Sequence, residues 1–286
     1  MPDLVLFLFI PIVWGLNFVV IKAALPAFAS PEAFNALRWA LAATTLLVLV
    51  GIRRDPLGIA PRDWGRVLFV AAVGNVLQQV TFINGIQLTT AGHAALIMGL
   101  SPVLVALANA AWRLEPVSRR TWLGIAFSVG GLVLLLHPGT GRLPRAAFWG
   151  DLLTLASAAC WAVYTVASRP LATHYPPVAV TATTVTVAAL GLVILGLPAL
   201  RAERWGDVPW TAWGALLYSG GLTLAFGYAI WSVAIRRIGT ARTAVLANLN
   251  PVVAVGAAWL LLGERLDVWQ ALGAALVVAG IALTRR

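Results

Sequence analysis

Thr90-Ala91-Gly92-His93-Ala94-Ala95 leads to Leu100-Ser101-Pro102-Val103, then to Leu114-Glu115, then to Gly124 and Gly131. Gly239-Thr240-Ala241-Arg242-Thr243-Ala244 leads to Leu249-Asn250-Pro251-Val252, then to Gly263-Glu264, then to Gly273 and Gly280. One offset of 149 residues relates the Pro, the Glu and both Gly of the two stretches. A pattern kept at constant spacing marks a duplicated segment. Both copies lie among runs apolar enough to cross a bilayer, and a duplicated membrane bundle is the usual build of a secondary transporter.

The composition agrees. Of 286 residues, 60% are hydrophobic and 10% charged, with a mean hydropathy of +0.89. A soluble domain carries about 25% charged residues, so there are too few charges here to cover a soluble surface. The net charge of +10 comes from 19 Arg and one Lys. These lie in short gaps between apolar runs, with no basic face or tail, which is the pattern of membrane topology signals and argues against nucleic acid. Cys160 is the single cysteine, so no intrachain disulfide is expected. Met1-Pro2-Asp3 lacks a positive n-region and the first apolar run is long, so it reads as an uncleaved span.

A span needs roughly 20 mostly apolar residues. The qualifying runs are 4–24, 31–51, 65–87, 91–112, 120–137, 148–168, 177–198, 211–234, 241–262 and 268–284. The expected fold is all-α and integral to the membrane: ten transmembrane helices as a 5+5 inverted repeat around a central cavity. Residues 1–140 form the first repeat and 147–286 the second. An odd number of crossings per half forces the halves to run in opposite directions, which suits alternating access. Loops 2, 4, 6 and 8 with the C-terminus hold thirteen cations, and the other side six. The positive-inside rule places both termini in the cytoplasm. Arg-over-Lys and Ala-rich usage points to a GC-rich bacterial genome, hence to the inner (plasma) membrane.

Four segments carry a family resemblance. They are Trp14-Gly15-Leu16-Asn17-Phe18-Val19-Val20-Ile21-Lys22 with its partner Trp161-Ala162-Val163-Tyr164; Asn35-Ala36-Leu37-Arg38-Trp39; the Ala/Thr-rich starts of spans 4 and 9, ending in Ser101-Pro102 and Asn250-Pro251; and Leu262-Gly263-Glu264-Arg265. In their order and repetition the chain resembles the drug/metabolite transporter superfamily, in its ten-helix EamA-like branch. The resemblance implies a 5+5 bundle with a central cavity, and export of amino acids or other small metabolites. Two departures stand out. Arg113-Leu114-Glu115 has Leu where the family more often has Gly before Glu, and span 1 carries Asn17 where the related four-helix multidrug members carry a proton-coupling Glu.

Arg38 is the costliest residue to place. It lies eight residues into span 2, and Arg near a helix centre costs roughly 2.5–3.5 kcal/mol on insertion scales. It reads either as a cavity guanidinium for a substrate carboxylate or as a structural group bonded to carbonyls or headgroups. No Asp or Glu is expected deep in any span. Asn75, Gln78, Gln79 and Phe82 share one face of span 3 by helical spacing, as a cavity wall or as interhelical glue. Trp14 with Asn17, Ser157 with Trp161, Tyr164 and Ser168, and Tyr228 with Trp231 form three further faces. Trp14 and Trp161 are repeat-equivalent and mid-span, and read as cavity lining. Trp64, Trp149, Trp210 and Trp269 read as interfacial anchors.

Pro102 and Pro251 interrupt spans 4 and 9 and are hinge candidates, with Asn248 and Asn250 as substrate contacts. Glu115 and Glu264 read as structural, each placed to meet Arg or the amides that start the next helix. The paired glycines of spans 5 and 10 read as close-packing seams. His93 is the one candidate proton relay, against a neutral packed role. All acids are expected at span ends or in loops, which favours a facilitator or an exporter with weak coupling.

The expected function is an alternating-access exporter of small metabolites, amino acids or related amphipathic compounds first. The alternative is a carrier of organic anions or nucleotide sugars. A membrane-embedded enzyme is remote, because the chain lacks His-Glu-x-x-His and Gly-x-Ser-x-Gly patterns. No cofactor, metal, nucleic acid or ATPase subunit is implied. The expected partners are a small-molecule substrate and the lipid bilayer, and a monomer is the simpler assembly.

Overall fold

The computed structural model describes residues 3–54, 57–112, 118–135, 145–231 and 249–283. Ten helices and no strand occur among the described residues. They are α1 Asp3–Ala24, α2 Pro31–Arg53, α3 Pro61–Leu88, α4 Ala91–Ala111, α5 Arg119–Leu135, α6 Arg145–His174, α7 Pro177–Ala202, α8 (210–231), α9 Asn250–Leu262 and α10 Val268–Leu283. By length and composition, α1 to α4, α6 and α7 can each cross a membrane, and the described parts of α5, α9 and α10 are shorter apolar helices. Ile52, Val48, Leu190, Ile194, Leu260 and Leu261 stand exposed on the outside, as side chains facing lipid do.

Local chemistry sets the helix ends. Ser30 caps α2, its hydroxyl accepting from Ala33 N–H, with Pro31 in the first turn. Thr90 does the same for α4 through His93 N–H. Gly263 ends α9 with φ +68°, the left-handed conformation that glycine enters without a Cβ penalty. Asp267 and Gln270 exchange backbone-to-side-chain bonds of 2.8 and 3.1 Å at the start of α10, a capping box. In α7, Thr181, Thr183, Thr184 and Thr186 return their hydroxyls to carbonyls four residues back. That satisfies each polar group inside its own helix, as the bilayer requires.

The repeat is visible in the packing. The closest pairs are α5 with α10, α2 with α7, α4 with α9, α3 with α6, α1 with α8, α1 with α9, α4 with α6, α2 with α8 and α3 with α7. Exchanging 1 with 6, 2 with 7, 3 with 8, 4 with 9 and 5 with 10 maps this set onto itself, as a pseudo-two-fold axis would. The α5–α10 seam carries the same signature. A Cβ on Gly131 would meet Gly273 O at 2.6 Å, and one on Gly280 would meet Gly124 O at 2.5 Å. The expected small-residue seams are therefore backbone-to-backbone contacts, reciprocal between the halves.

Two distortions fall at equivalent places. Val70–Leu77 in α3 and Leu217–Phe226 in α8 are wound as π-helix, with i→i+5 bonding at their ends (Gln78 N–H to Val73 O, Gly227 N–H to Leu222 O). Such stretches are rare and concentrate at functional sites. Helix α4 breaks after Met98 and restarts at Ser101, with Pro102 in the new first turn. Likewise Pro251 lies in the first described turn of α9, so both prolines occupy the position where a missing N–H costs nothing. The two crossings touch, since a Cβ on Gly99 would stand 2.8 Å from Pro251 Cγ.

Candidate functional site

The bundle has two distinct ends. One holds the last turns of α1, α3, α7 and α9 and the first turns of α2, α4, α6, α8 and α10; Glu264 belongs to it. The other holds Arg53, Arg54, Arg62, Arg66, Arg119, Arg120 and Arg169. An apolar layer around Phe18, Phe28, Phe34, Ile86, Ala91 and Ala258 lies toward the Glu264 end. A polar layer sits deeper.

Arg38 anchors that layer, seven residues after Pro31 and so about 10 Å into the bundle. It is 1% exposed. Its Nη1 donates to Ser219 Oγ at 3.2 Å, and its Nη2 to Asn35 Oδ1 at 3.0 Å and to Gln79 Oε1. Gln79 Nε2 then donates to Gln78 Oε1 at 2.7 Å, and Gln78 Nε2 to Ser157 Oγ at 2.8 Å. This buried chain links α8, α2, α3 and α6, so it crosses between the halves. The Phe34 ring lies 5.9 Å from Arg38 Cζ, and Nε has no protein partner among the described residues. No carboxylate pairs with the guanidinium among the described residues. The two sequence readings of Arg38 thus meet: three polar side chains hold it, and it keeps unused donors and an unbalanced charge.

Beside it lie the aromatic residues that the sequence had put on three separate faces. Trp14 stands 5.9 Å from Tyr228 and 5.1 Å from Trp231, and Trp161 stacks on Tyr164 at 5.1 Å and meets Tyr228 edge-on at 6.0 Å. Tyr228 joins the repeat-equivalent tryptophans into one cluster and lies within electrostatic reach of Arg38. Trp14 Nε1 donates to Thr223 O in the π-helical part of α8, and Tyr164 sits against Gly74 in that of α3. The distorted segments thus position the cluster. Asn17 Oδ1, Asn250 Oδ1 and Thr223 Oγ1 are buried without a protein partner among the described residues.

Several expectations need correction. Phe82 does not join the polar wall: its ring meets Phe18 edge-on at 5.6 Å in the apolar layer. Asn75 turns to Thr184 O of α7, away from the glutamines, because the π-helical turns before Gln78 alter the angular step on which the one-face reading rested. Ser168 returns its hydroxyl to Thr165 O of its own helix. Glu264 does not reach the next helix, which Asp267 caps. Its oxygens accept from Ala91 and Gly92 N–H of α4, both at 2.9 Å. Asn248 and Glu115 lie outside the described residues.

The acids were also misjudged. Asp151 is buried, 1% exposed, seven residues into α6. It accepts from the Thr89 hydroxyl, and its Oδ2 is 3.4 Å from His93 Nδ1. The crossing of α3 and α6 brings this about. A Cβ on Gly150 would meet Thr89 N at 2.7 Å, and one on Gly85 would meet Thr154 Oγ1 at 2.5 Å, so the backbones touch and Thr89 lands on Asp151. The available signal was Gly150 directly before an acid at a span edge. Nearby, Lys22 Nζ donates to Ile86, Gln87 and Thr89 O at 3.0, 2.8 and 2.5 Å. Glu203 accepts from Ala29 N–H through both oxygens. The Glu264 end is therefore tied across the halves by Glu264, Asp151 and Glu203.

Known proteins share this architecture. The chain is 29% identical to a probable amino-acid metabolite efflux pump of Escherichia coli, over 98% of this chain and 93% of that protein. It is 30% identical to a probable terminal-alkyne amino-acid exporter of Streptantibioticus cattleyicolor, over 85% of this chain and 81% of that one. It is 28% identical to the uncharacterized transporter YyaM of Bacillus subtilis, over 93% and 88%. A crystal structure at 20% identity superposes with a TM-score of 0.69 across 98% of this chain and 94% of its own, which speaks for the fold alone. The model of the EamA-like transporter family matches residues 2–137 and again 148–286. The chain belongs to the EamA-like transporter family.

Proposed function

We propose that the chain exports small amphipathic metabolites, amino acids first, by alternating access across a bacterial inner membrane, with the arginine-rich end in the cytoplasm. One observation carries the substrate class: a buried guanidinium with no carboxylate partner among the described residues, next to a five-membered aromatic cluster. An unbalanced cation in low dielectric favours an anionic group on the ligand, and the ring cluster favours an apolar or aromatic body. A monocarboxylate of amino-acid size offers both. The names of the amino-acid exporters among the relatives support the same reading.

In this reading Arg38 takes the carboxylate through its free N–H groups. Trp14, Trp161, Tyr164, Tyr228 and Trp231 enclose the side chain, and the unpartnered oxygens of Asn17 and Asn250 accept from the ammonium. Counterflow of radiolabelled phenylalanine in proteoliposomes tests it, with phenylalaninamide as competitor. The acid should compete about tenfold better than the amide, a charge-assisted contact being worth at least 1.4 kcal/mol. In Arg38→Gln that preference should vanish. A preference for the acid that survives Arg38→Gln removes Arg38 from the site. Absence of counterflow with any amino acid, in vesicles holding folded protein, moves the reading to organic anions or nucleotide sugars.

A further inference from the structure

The cluster of Thr89, His93 and Asp151 takes no part in the site just proposed. His93 and Asp151 are both buried, and their side chains face each other at 3.4 Å. Among the described residues, Asp151 is the one buried acid, and His93 is the one group in ion-pair range of it. His93 belongs to α4 in the first half and Asp151 to α6 in the second, so the contact spans the interface that must rearrange when this end opens.

The surrounding charges are committed elsewhere. From α1, Lys22 faces three carbonyls at the end of α3. From the turn after α9, Glu264 faces the Ala91 and Gly92 amides. The last two turns of α3 carry no ionisable side chain. On α6 itself, Arg145 stands exposed at the first turn. A buried carboxylate without a cation is much less stable than one facing a cation. One proton taken up by the pair, with the imidazolium donating from Nδ1 to Asp151, would supply that cation.

We propose that His93 and Asp151 form a proton-binding site that links closure of the Glu264 end to the pH of the water outside. The proposal rests on the transporter reading above. When the end is open, water hydrates Asp151 and the proton returns to water. When it closes, one proton from water forms an N–H bond on the imidazole, and no other bond changes. The closed form binds more protons than the open one, so external acid favours closure and slows release of substrate.

The test is exchange of radiolabelled phenylalanine in proteoliposomes at fixed internal pH, with external pH varied from about 5 to 8. It is paired with imidazole NMR of protein labelled at its three histidines, His93 being assigned by its loss in His93→Gln. In the parent, exchange should fall with external acid, with a slope approaching about tenfold per pH unit for one linked proton. Asp151→Asn, which keeps shape and removes the charge, should flatten that slope and alter the His93 titration, and His93→Gln should flatten it as well. A flat profile in the parent, or a slope that both variants keep, overturns the proposal. If the protein moves no phenylalanine, the substrate reading fails alone and the spectra decide. A His93 that stays neutral throughout, or takes its proton identically in Asp151→Asn, sinks the proton site; a titration that depends on Asp151 sustains it.

Discussion

Removing the Glu264 carboxylate should open the end of the bundle that it holds. Both oxygens accept from the first amides of α4, at 2.9 Å each, and the residue itself follows the last turn of α9. The contact therefore joins the two halves. A hydrogen bond to an ionised group contributes about 1.5–3 kcal/mol. Glu264 is only partly buried, and an exposed anion at a helix N-terminus gains less than a buried one. Together the pair should favour this closed form by about 2–3 kcal/mol, because both amides and the carboxylate find water once the end opens. Glu264→Ala then shifts the open-to-closed ratio by about 30- to 150-fold. Lys22 keeps its three carbonyls, so the ends of α3 and α1 should stay joined. The assay is maleimide labelling of Ala91→Cys in a Cys160→Ser background. Ala91 is fully buried in the apolar layer, so its thiol reacts only when this end opens. Labelling at least tenfold faster in Glu264→Ala is the expected result. A rate within twofold of the parent, with the variant shown to be folded, would refute the idea that Glu264 holds the halves together.

Arg38→Met should lower the melting temperature in detergent. It strands Asn35, Gln79 and Ser219 at about 1–3 kcal/mol each, against about 2.5–3.5 kcal/mol regained from the buried charge. A double-mutant cycle with Gln79→Leu should give a coupling of about 1–3 kcal/mol, and a value near zero would dismiss the network. Gly131→Leu should cost about 2 kcal/mol or more, because its Cβ already meets Gly273 O at 2.6 Å. Gly130→Ala, with nothing within 4 Å, should be neutral or slightly stabilising, and equal melting points for the two would deny the seam. Gly74→Ala places a Cβ 2.5 Å from Tyr164 Cβ and should reduce flux severalfold by pushing α3 off α6. Gly65→Ala, in open space, should leave flux unchanged.

Much of the frame was legible because membrane helices announce themselves by length and apolarity, and because the 149-residue offset repeats glycine, proline and glutamate. A proline break and a helix cap need only their own stretch of chain, and small residues spaced along one helix mark a seam, whereas the partners of Glu264 lie 172 and 173 positions away. The polar interior was legible only in part. Arg38, Gln78 and Gln79 stood out because they are expensive in lipid. Their partners Asn35 and Ser219 did not, because an asparagine three residues away and a serine in a distant helix carry no pattern of their own. The one-face reading of span 3 failed at Asn75 because nothing in Val70–Leu77 signals π-helical winding, while Phe82, a turn beyond Gln78 and Gln79, packs in the apolar layer. Asp151 was passed over because its position near a span edge looks solvated, and the Gly85–Gly150 crossing that buries it depends on residues 65 positions apart.

What the two halves share and what they do not divides the molecule into frame and chemistry. The seams, the π-helical stretches, the proline turns and the Trp14–Trp161 pair all recur in both halves. Arg38, by contrast, corresponds to Val185, Gln78 to Ala225, Gln79 to Phe226 and Asp151 to Leu4, at the 147-residue offset of the two tryptophans. A symmetric frame gives the inward- and outward-open forms nearly equal energy, which lets a carrier cycle. It cannot by itself give them different affinities. A ligand shifts such an equilibrium only through interactions that differ between the two states, and here only the asymmetric residues can supply that difference. Paired substitutions, made at both copies of a recurring residue, should therefore slow both directions of exchange alike, whereas a change to one copy, such as Glu264→Ala, biases one form. Substitutions at Arg38, Gln79 or Asp151, which have no like residue in the other half, should change the ratio of the two directions.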